Sequence, residues 1–427
     1  MTNTLIPINY KKSVLPNGLR ILSNELTNTN GVSINFLFGA GSRYEQEFLS
    51  GASHLFEHVL FKGTKNRPDP KKISSEIENV GGIINAFTDR EITGYWSLMP
   101  FLHYKSGIEV IADMIQNSLL KNEDIDNEKK VIYEEIKASI DSPASKVQMN
   151  LESKIWPNQP MGRDIAGTVE SVSKISKKEM FEYLKSQYVS SNTVISIAGN
   201  IIHEEVVDLI EKNMRDFQEN NIQKMFPFIN NFKGPEIIYE KRDTQQTNIS
   251  LGFQGISYHN KNRFALSLLS VILGESMSSR LFTELREKRA LAYDIHSNCQ
   301  YFSDCGIFSI EAGIAPEKLY ETIKIIISEV SKISHDLTQK EVDDSITLSL
   351  GRMMLRMENS RSISNYLGTQ ELLKNHIETP DEIIKKIKSV SLNDIKKISS
   401  EIINTKSMVL SIIGPKYNEE EIYSLIR

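Results

Sequence analysis

A chain of 427 residues is longer than one hydrophobic core usually supports, so two or three domains are expected. Fifty basic against 55 acidic side chains leave a net charge near −5, which argues against DNA or RNA as a partner, and no apolar run approaches the roughly 18 residues that a membrane span requires. Two cysteines do not make a disulfide scaffold, and Met1 to Ile8 lacks a basic stretch followed by an apolar one, so a cytoplasmic protein is expected.

Arg20 to Ser23 and Val32 to Ala40 read as strands, the second alternating like a half-buried one. From Phe48 to Leu60 the period becomes helical, with Leu55, Phe56, Val59 and Leu60 on the buried side. Within this stretch, His54-Leu55-Phe56-Glu57-His58 sets two imidazoles one turn apart on one helix face, with Glu57 beside them. Two histidines so spaced can share a metal ion. A zinc ion held by them and one carboxylate keeps a fourth position for water and lowers its pKa towards roughly 7, with Glu57 as the natural proton acceptor. The bland alternative is a pair of surface histidines. With eight histidines in the chain, however, the full His-x-x-Glu-His pattern arises by chance in about 1% of such sequences.

Further strands are expected at Ile83 to Thr88, Tyr95 to Met99 and Val194 to Ala198, with amphipathic helices between them. One helix carries Glu128-Lys129-Lys130-Val131-Ile132-Tyr133-Glu134-Glu135. Glu128 and Glu135 share a stripe, Ile132, Ile136 and Ile140 make an apolar row, and Glu134 points elsewhere. Taken alone, such a helix is a solvated charge face. Polar, Asn-rich text with Pro227, Gly234 and Pro235 then interrupts the pattern, which places a first domain at 1–218, a linker at 219–236 and a second domain at 237–427.

The second half repeats the first. Val32-Ser33-Ile34-Asn35-Phe36-Leu37-Phe38 recurs as Thr247-Asn248-Ile249-Ser250-Leu251-Gly252-Phe253, and Val194 to Gly199 recurs as Val409 to Gly414, both at an offset of 215 residues. Two matches so far apart in one register indicate duplication. The same offset carries His54, Glu57 and His58 onto Leu269, Ile272 and Leu273, so only the first copy can hold a metal. Strands at Ala292 to Tyr301 and Ile307 to Ala312 precede long helices at Leu319 to Val330 and Val342 to Met357, and the class is α+β. Cys299 and Cys305 fall on a predicted hairpin, as free thiols or as a cross-strand disulfide. His296 and Cys299 are two candidate ligands without further partners, and His103, His203, His259, His335 and His376 stand alone.

The order His-x-x-Glu-His, reversed from the commoner His-Glu-x-x-His, resembles the inverted-zincin metallopeptidases, the pitrilysin family that includes insulin-degrading enzyme and mitochondrial processing peptidase. The likeness extends to Phe61-Lys62-Gly63-Thr64, to Gly81-Gly82-Ile83-Ile84-Asn85-Ala86-Phe87-Thr88, to Glu128 to Glu135, and in the second half to Arg286-Glu287-Lys288-Arg289-Ala290-Leu291-Ala292-Tyr293. It implies two duplicated domains, each an antiparallel sheet with helices packed on one face, the LuxS/MPP-like metallohydrolase fold. It implies one zinc ion per chain on His54, His58 and Glu135, with Glu57 as general base and Glu128 as an accessory acid. Asn85, Ala86 and Phe87 would form an edge strand that pairs with an extended substrate, Phe87 either lining a pocket or serving as a core aromatic. Arg286 and Tyr293 would reach towards the substrate, although Ala290 stands where the family often has glycine, so a slightly different turn is expected there.

The implied function is a zinc-dependent metalloendopeptidase that hydrolyses small or unfolded peptides inside a chamber closed by a homodimer. No Gly-x-Ser-x-Gly elbow or cysteine nucleophile motif competes with that mechanism. Two other readings share the fold: a non-catalytic core subunit, although such relatives usually lose their zinc ligands, and the active subunit of a heterodimeric processing peptidase.

Overall fold

Eleven strands and the helices between them are found among the described residues of the computed structural model, which are 8–416 and 418–426. The amino-terminal segment read for a targeting pattern therefore lies almost wholly outside them. The first sheet comprises β1 (Tyr10–Val14), β2 (Arg20–Glu25), β3 (Gly31–Phe38), β4 (Ile83–Thr88), β5 (Thr93–Pro100) and β6 (Thr193–Gly199), in the order β1-β2-β6-β3-β5-β4. The second comprises β7 (Glu236–Lys241), β8 (Thr247–Gln254), β9 (Ala292–Tyr301), β10 (Gly306–Ile314) and β11 (Met408–Gly414), in the order β7-β11-β8-β10-β9. Each is antiparallel apart from one parallel pair, β2 with β6 and β7 with β11. The fold is α+β, and no helix among the described residues is long and apolar enough to cross a membrane.

Alternation along β3 explains how the first sheet is covered. Val32, Ile34, Phe36 and Phe38 enter a core with residues of helices Ala52–Val59, Tyr104–Asn117 and His203–Met214. The alternate residues Ser33 and Asn35 are buried too, so their polar groups need partners. Helix Ser360–Lys374 provides one: Asn35 Nδ2 donates to Ser364 Oγ at 2.7 Å, and Ser364 Oγ donates to Ser33 Oγ at 2.8 Å. Gly368 allows the close approach, because a Cβ there would stand 2.6 Å from Leu37 Cδ1. A strand whose pattern suggests one wet face is therefore covered on both.

The second sheet is treated in the same way by helix Pro143–Ile155, whose Leu151 and Ile155 share a core cluster with Ile307 and Val409. The chain accordingly sorts into two compact units that are not contiguous in sequence. The first contains residues up to 136 with 163–226 and 354–381; the second contains 137–162, 227–353 and residues from 382 onward. The 215-residue offset maps the start of helix Pro143–Ile155 to within two residues of the start of helix Ser360–Lys374. Each half thus lends the equivalent helix to the other half's sheet.

Helix Ala52–Val59, which carries the two histidines, has eight residues, fewer than the roughly 12–15 an isolated helix needs in water. Packing makes it. Leu55, Phe56, Val59 and the following Leu60 are fully buried, and Phe56 meets the Tyr188 ring edge-on at 4.7 Å while Tyr188 stacks on Phe38 at 4.3 Å. Each such side chain contributes about 1.5–3 kcal/mol on burial, which offsets the cost of nucleating so short a helix.

Candidate metal centre

His54 and His58 point from the same helix face towards Glu135 on helix Asn122–Asp141. Their Nε2 atoms lie 3.3 Å apart, and Glu135 Oε2 is 3.7 Å from His54 Nε2 and 3.6 Å from His58 Nε2. Among the described residues this is the one group of three or more histidine, cysteine or acidic side chains placed to hold a metal ion. A tetrahedral zinc ion with bonds of about 2.0–2.1 Å holds its donors roughly 3.3–3.4 Å apart, so the triangle fits that ion with little adjustment. Two imidazole nitrogens facing one another at such a distance are also what a shared cation resolves.

The electrostatics keep these nitrogens available. Burial and the neighbouring His58 hold the His54 imidazole down at about 4, so it is neutral near pH 7 with a lone pair to offer. His58 Nδ1 lies 3.1 Å from Glu128 Oε2, and because a carboxylate accepts, the proton sits on Nδ1 and Nε2 faces Glu135. Lys62 Nζ in turn sits 2.7 Å from Glu128 Oε1, which fixes that carboxylate from its other side. Glu128 is buried at 6% exposure, whereas Glu134 is exposed and stands outside the cluster. Ile132 and Ile136 of the same helix are buried, while Ile140, the third member of their apolar row, is 37% exposed.

Glu57 lies between the histidines in sequence and is separately held. Its Oε2 accepts from the Thr88 hydroxyl at 2.5 Å, at the end of β4. Burial pushes the Glu57 carboxyl above the usual carboxylate range, and the Thr88 hydrogen bond pulls the other way. Sequence spacing provides no signal for that contact, since the two residues are 31 positions apart.

Glu45 is the other participant that the motifs miss. It is 1% exposed, and its carboxylate accepts from the backbone N–H groups of Gly51 and Ser53 at 2.8 and 2.7 Å and from the Ser53 hydroxyl at 2.6 Å. These bonds satisfy N–H groups at the start of the histidine helix, a capping role played from outside the helix. Burial pushes the Glu45 carboxyl up to about 7 against those hydrogen bonds.

Asn85 is exposed and Ala86 and Phe87 are half-buried on β4, which is an edge of the first sheet. Asn85, Ala86 and Phe87 all line a cavity of about 670 Å³, and Ala86 also packs against the core. Arg286 and Tyr293 stand together in the second unit. Arg286 lies in a π-helical turn, Phe282–Glu287, with its guanidinium 4.9 Å from the Phe282 ring centroid and 5.8 Å from that of Tyr293. Tyr293 is 76% exposed on β9. Ala290 between them has φ +50°, a left-handed conformation that glycine adopts more readily, so the alanine takes the backbone shape that glycine would favour. Cys299 and Cys305 are not joined by a disulfide. Burial pushes Cys299 up to about 12, and His296 pairs with Asp294 and Glu311, so the rival His296–Cys299 metal site does not form.

Known proteins share this arrangement of chain and fold. The family description "Insulinase (Peptidase family M16)" matches residues 20–169, and "Peptidase M16 inactive domain" matches residues 174–348. A Streptomyces coelicolor protein named as an uncharacterized zinc protease is 31% identical over 414 residues, covering 95% of this chain and 89% of its own. The crystal structure of a protease from Helicobacter pylori superimposes with a TM-score of 0.87 at 22% identity, over 96% of this chain and 100% of that one. A chain of complex III2 from Candida albicans does so with a TM-score of 0.85 at 21% identity, over 97% and 99%. At such identities the two structures speak for the fold alone. The sequence relatives and both family matches place this chain in the M16, or pitrilysin, family of peptidases as a short two-domain member.

Proposed function

We propose that this chain is a zinc-dependent metalloendopeptidase acting on small or unfolded peptides. The observation that carries the reading is the triangle of His54, His58 and Glu135 donors with a separately held Glu57 on the same helix. His54, His58 and Glu135 would hold one zinc ion, which when bound supplies Lewis acidity towards the scissile carbonyl and makes water more acidic. Glu57 accepts a proton from the attacking water and returns it to the leaving amine, a task suited to a carboxylate held above its ordinary range. Glu128 orients His58 through Nδ1 and acts as a positioning residue.

The substrate would add as an extended strand to the open edge of β4 along Asn85, Ala86 and Phe87, with backbone pairing giving little dependence on side chains. Arg286 and Tyr293 would donate to substrate carbonyl or carboxylate oxygens, and two copies of the chain would close a chamber around it in the cytoplasm. The first domain would run from 1 to 218 and the second from 237 to 427 along the sequence, joined by 219–236.

Cleavage of quenched fluorescent peptides by the purified chain tests the reading. Turnover is expected, with loss on chelation and return on adding zinc in stoichiometric amount. A metal-loaded chain that cleaves no peptide would favour a core subunit of this fold; activity appearing only with a second, different chain would favour a heterodimeric peptidase.

The acid limb of the pH profile should report Glu57. Its charged form accepts the proton, so kcat/KM rises with pH as Glu57 ionises, and the Thr88 hydroxyl stabilises that charged form. Thr88→Val removes the donor, so the limb is expected to move to higher pH in kcat/KM profiles on one peptide. A profile that stays in place would show that the limb belongs to another group.

A further inference from the structure

We infer that Arg361 is a specificity-determining residue that selects an acidic side chain in the bound peptide, an inference that rests on the peptidase reading above. The argument begins with the alternation of β4. Ile84 and Ala86 pack against the core that includes the histidine helix, and Thr88 bonds to Glu57, so the even residues face the metal side. Asn85 and Phe87 face the other way. In register, Asn85 pairs with Trp96 of β5 and Trp96 with Asn35 of β3, which makes a row across that second face. This face is the one covered by helix Ser360–Lys374, through the Asn35–Ser364 hydrogen bond.

The cavity of about 670 Å³ opens here, between the open edge of β4 and the start of that helix, lined among others by Asn85, Phe87, Trp96, Asn359, Arg361 and Asn365. Of the described residues that line it, Arg361 alone is charged. Its guanidinium carbon lies 3.7 Å from the Trp96 ring centroid. Stacking uses the face of the guanidinium and leaves its N–H edge free to donate. Arg361 is exposed and has no carboxylate partner among the described residues, so its charge is held in place without being neutralised. A buried structural arginine would be paired, as Arg43 is with Glu91.

A peptide strand added to β4 turns every second side chain towards this face. A glutamate or aspartate there meets the N–H edge of Arg361, with the amides of Asn85 and Asn365 able to donate to its remaining lone pairs. A lysine or arginine in the same place meets a like charge. Because the site is open to solvent, the discrimination is modest, about fivefold to tenfold in kcat/KM between glutamate and lysine.

The test is a series of quenched peptides in which glutamate, glutamine or lysine is walked through an otherwise neutral sequence. These are cleaved by wild type, Arg361→Gln and Arg361→Glu, with cut positions read by mass spectrometry. Wild type is expected to prefer glutamate at a fixed offset from the cut; Arg361→Gln is expected to lose the preference and Arg361→Glu to favour lysine at the same offset. Wild type with no charge preference, or a folded Arg361→Glu that keeps the wild-type preference, overturns this inference and leaves the peptidase reading intact. A wild-type chain that cleaves none of the peptides overturns both. Should Arg361→Glu fail to fold, Arg361→Gln decides, with its melting temperature as the check on folding.

Discussion

Glu57→Gln is expected to cleave a quenched peptide roughly 10²–10⁴-fold more slowly than wild type while binding zinc in the same amount, the range over which a positioned acid–base group accelerates proton transfer. The amide keeps nearly the shape of the carboxylate and can still accept from Thr88, so the helix and its two histidines should stay where they are. Only the ability to take a proton is removed. Measuring turnover and metal content on the same samples separates this outcome from loss of the metal. A variant that turns over as fast as wild type would assign the base to another residue.

His58→Ala should act on the other side of that division. His58 offers Nε2 to the ligand triangle and Nδ1 to Glu128, so its removal deletes one of three donors and also releases the carboxylate that orients it. The variant is expected to retain less than about a tenth of an equivalent of zinc after dialysis and to show no peptide cleavage above background, whereas Glu128→Gln should weaken metal affinity about 10–100-fold, as loss of a partner behind a ligand does. Thermal unfolding offers a second measure. Wild type should gain melting temperature on adding zinc and His58→Ala should not, because a ligand stabilises a fold only through a site it occupies. Retention of a full equivalent of zinc by His58→Ala would place the metal elsewhere.

The two predictions differ because Glu57 and His58, although they share one stretch of helix, rest on different neighbours. Glu57 depends on Thr88 from β4, and His58 depends on Glu128 from helix Asn122–Asp141. Glu45 supports both by capping the helix from its first turn.

Much of this was readable before any coordinates. His54 and His58 face the same way because residues four apart on a helix share a side, a relation carried entirely by local spacing. The duplication, the missing metal ligands of the second copy, and the strands at Ile83–Thr88 and Ala292–Tyr301 follow from periodicity and register in the same way. Glu135 needed the resemblance to the pitrilysin family as well, since it stands 77 positions after His58 and no local spacing links the two.

Other features depend on groups that approach only when distant segments pack. Ser33 and Asn35 read as the wet side of β3, yet helix Ser360–Lys374 covers them, because a polar strand face can be buried wherever another element brings matching hydrogen-bond partners. The exchange of equivalent helices between the two sheets, the Glu45 cap, the Thr88 bond to Glu57 and the stacking of Arg361 on Trp96 are of the same kind. Helical and strand periods arise from backbone geometry repeated over a few residues, so the chain alone settles which side chains share a face. Which face meets which is a question of long-range packing and polar pairing, and for this protein the folded arrangement answered it.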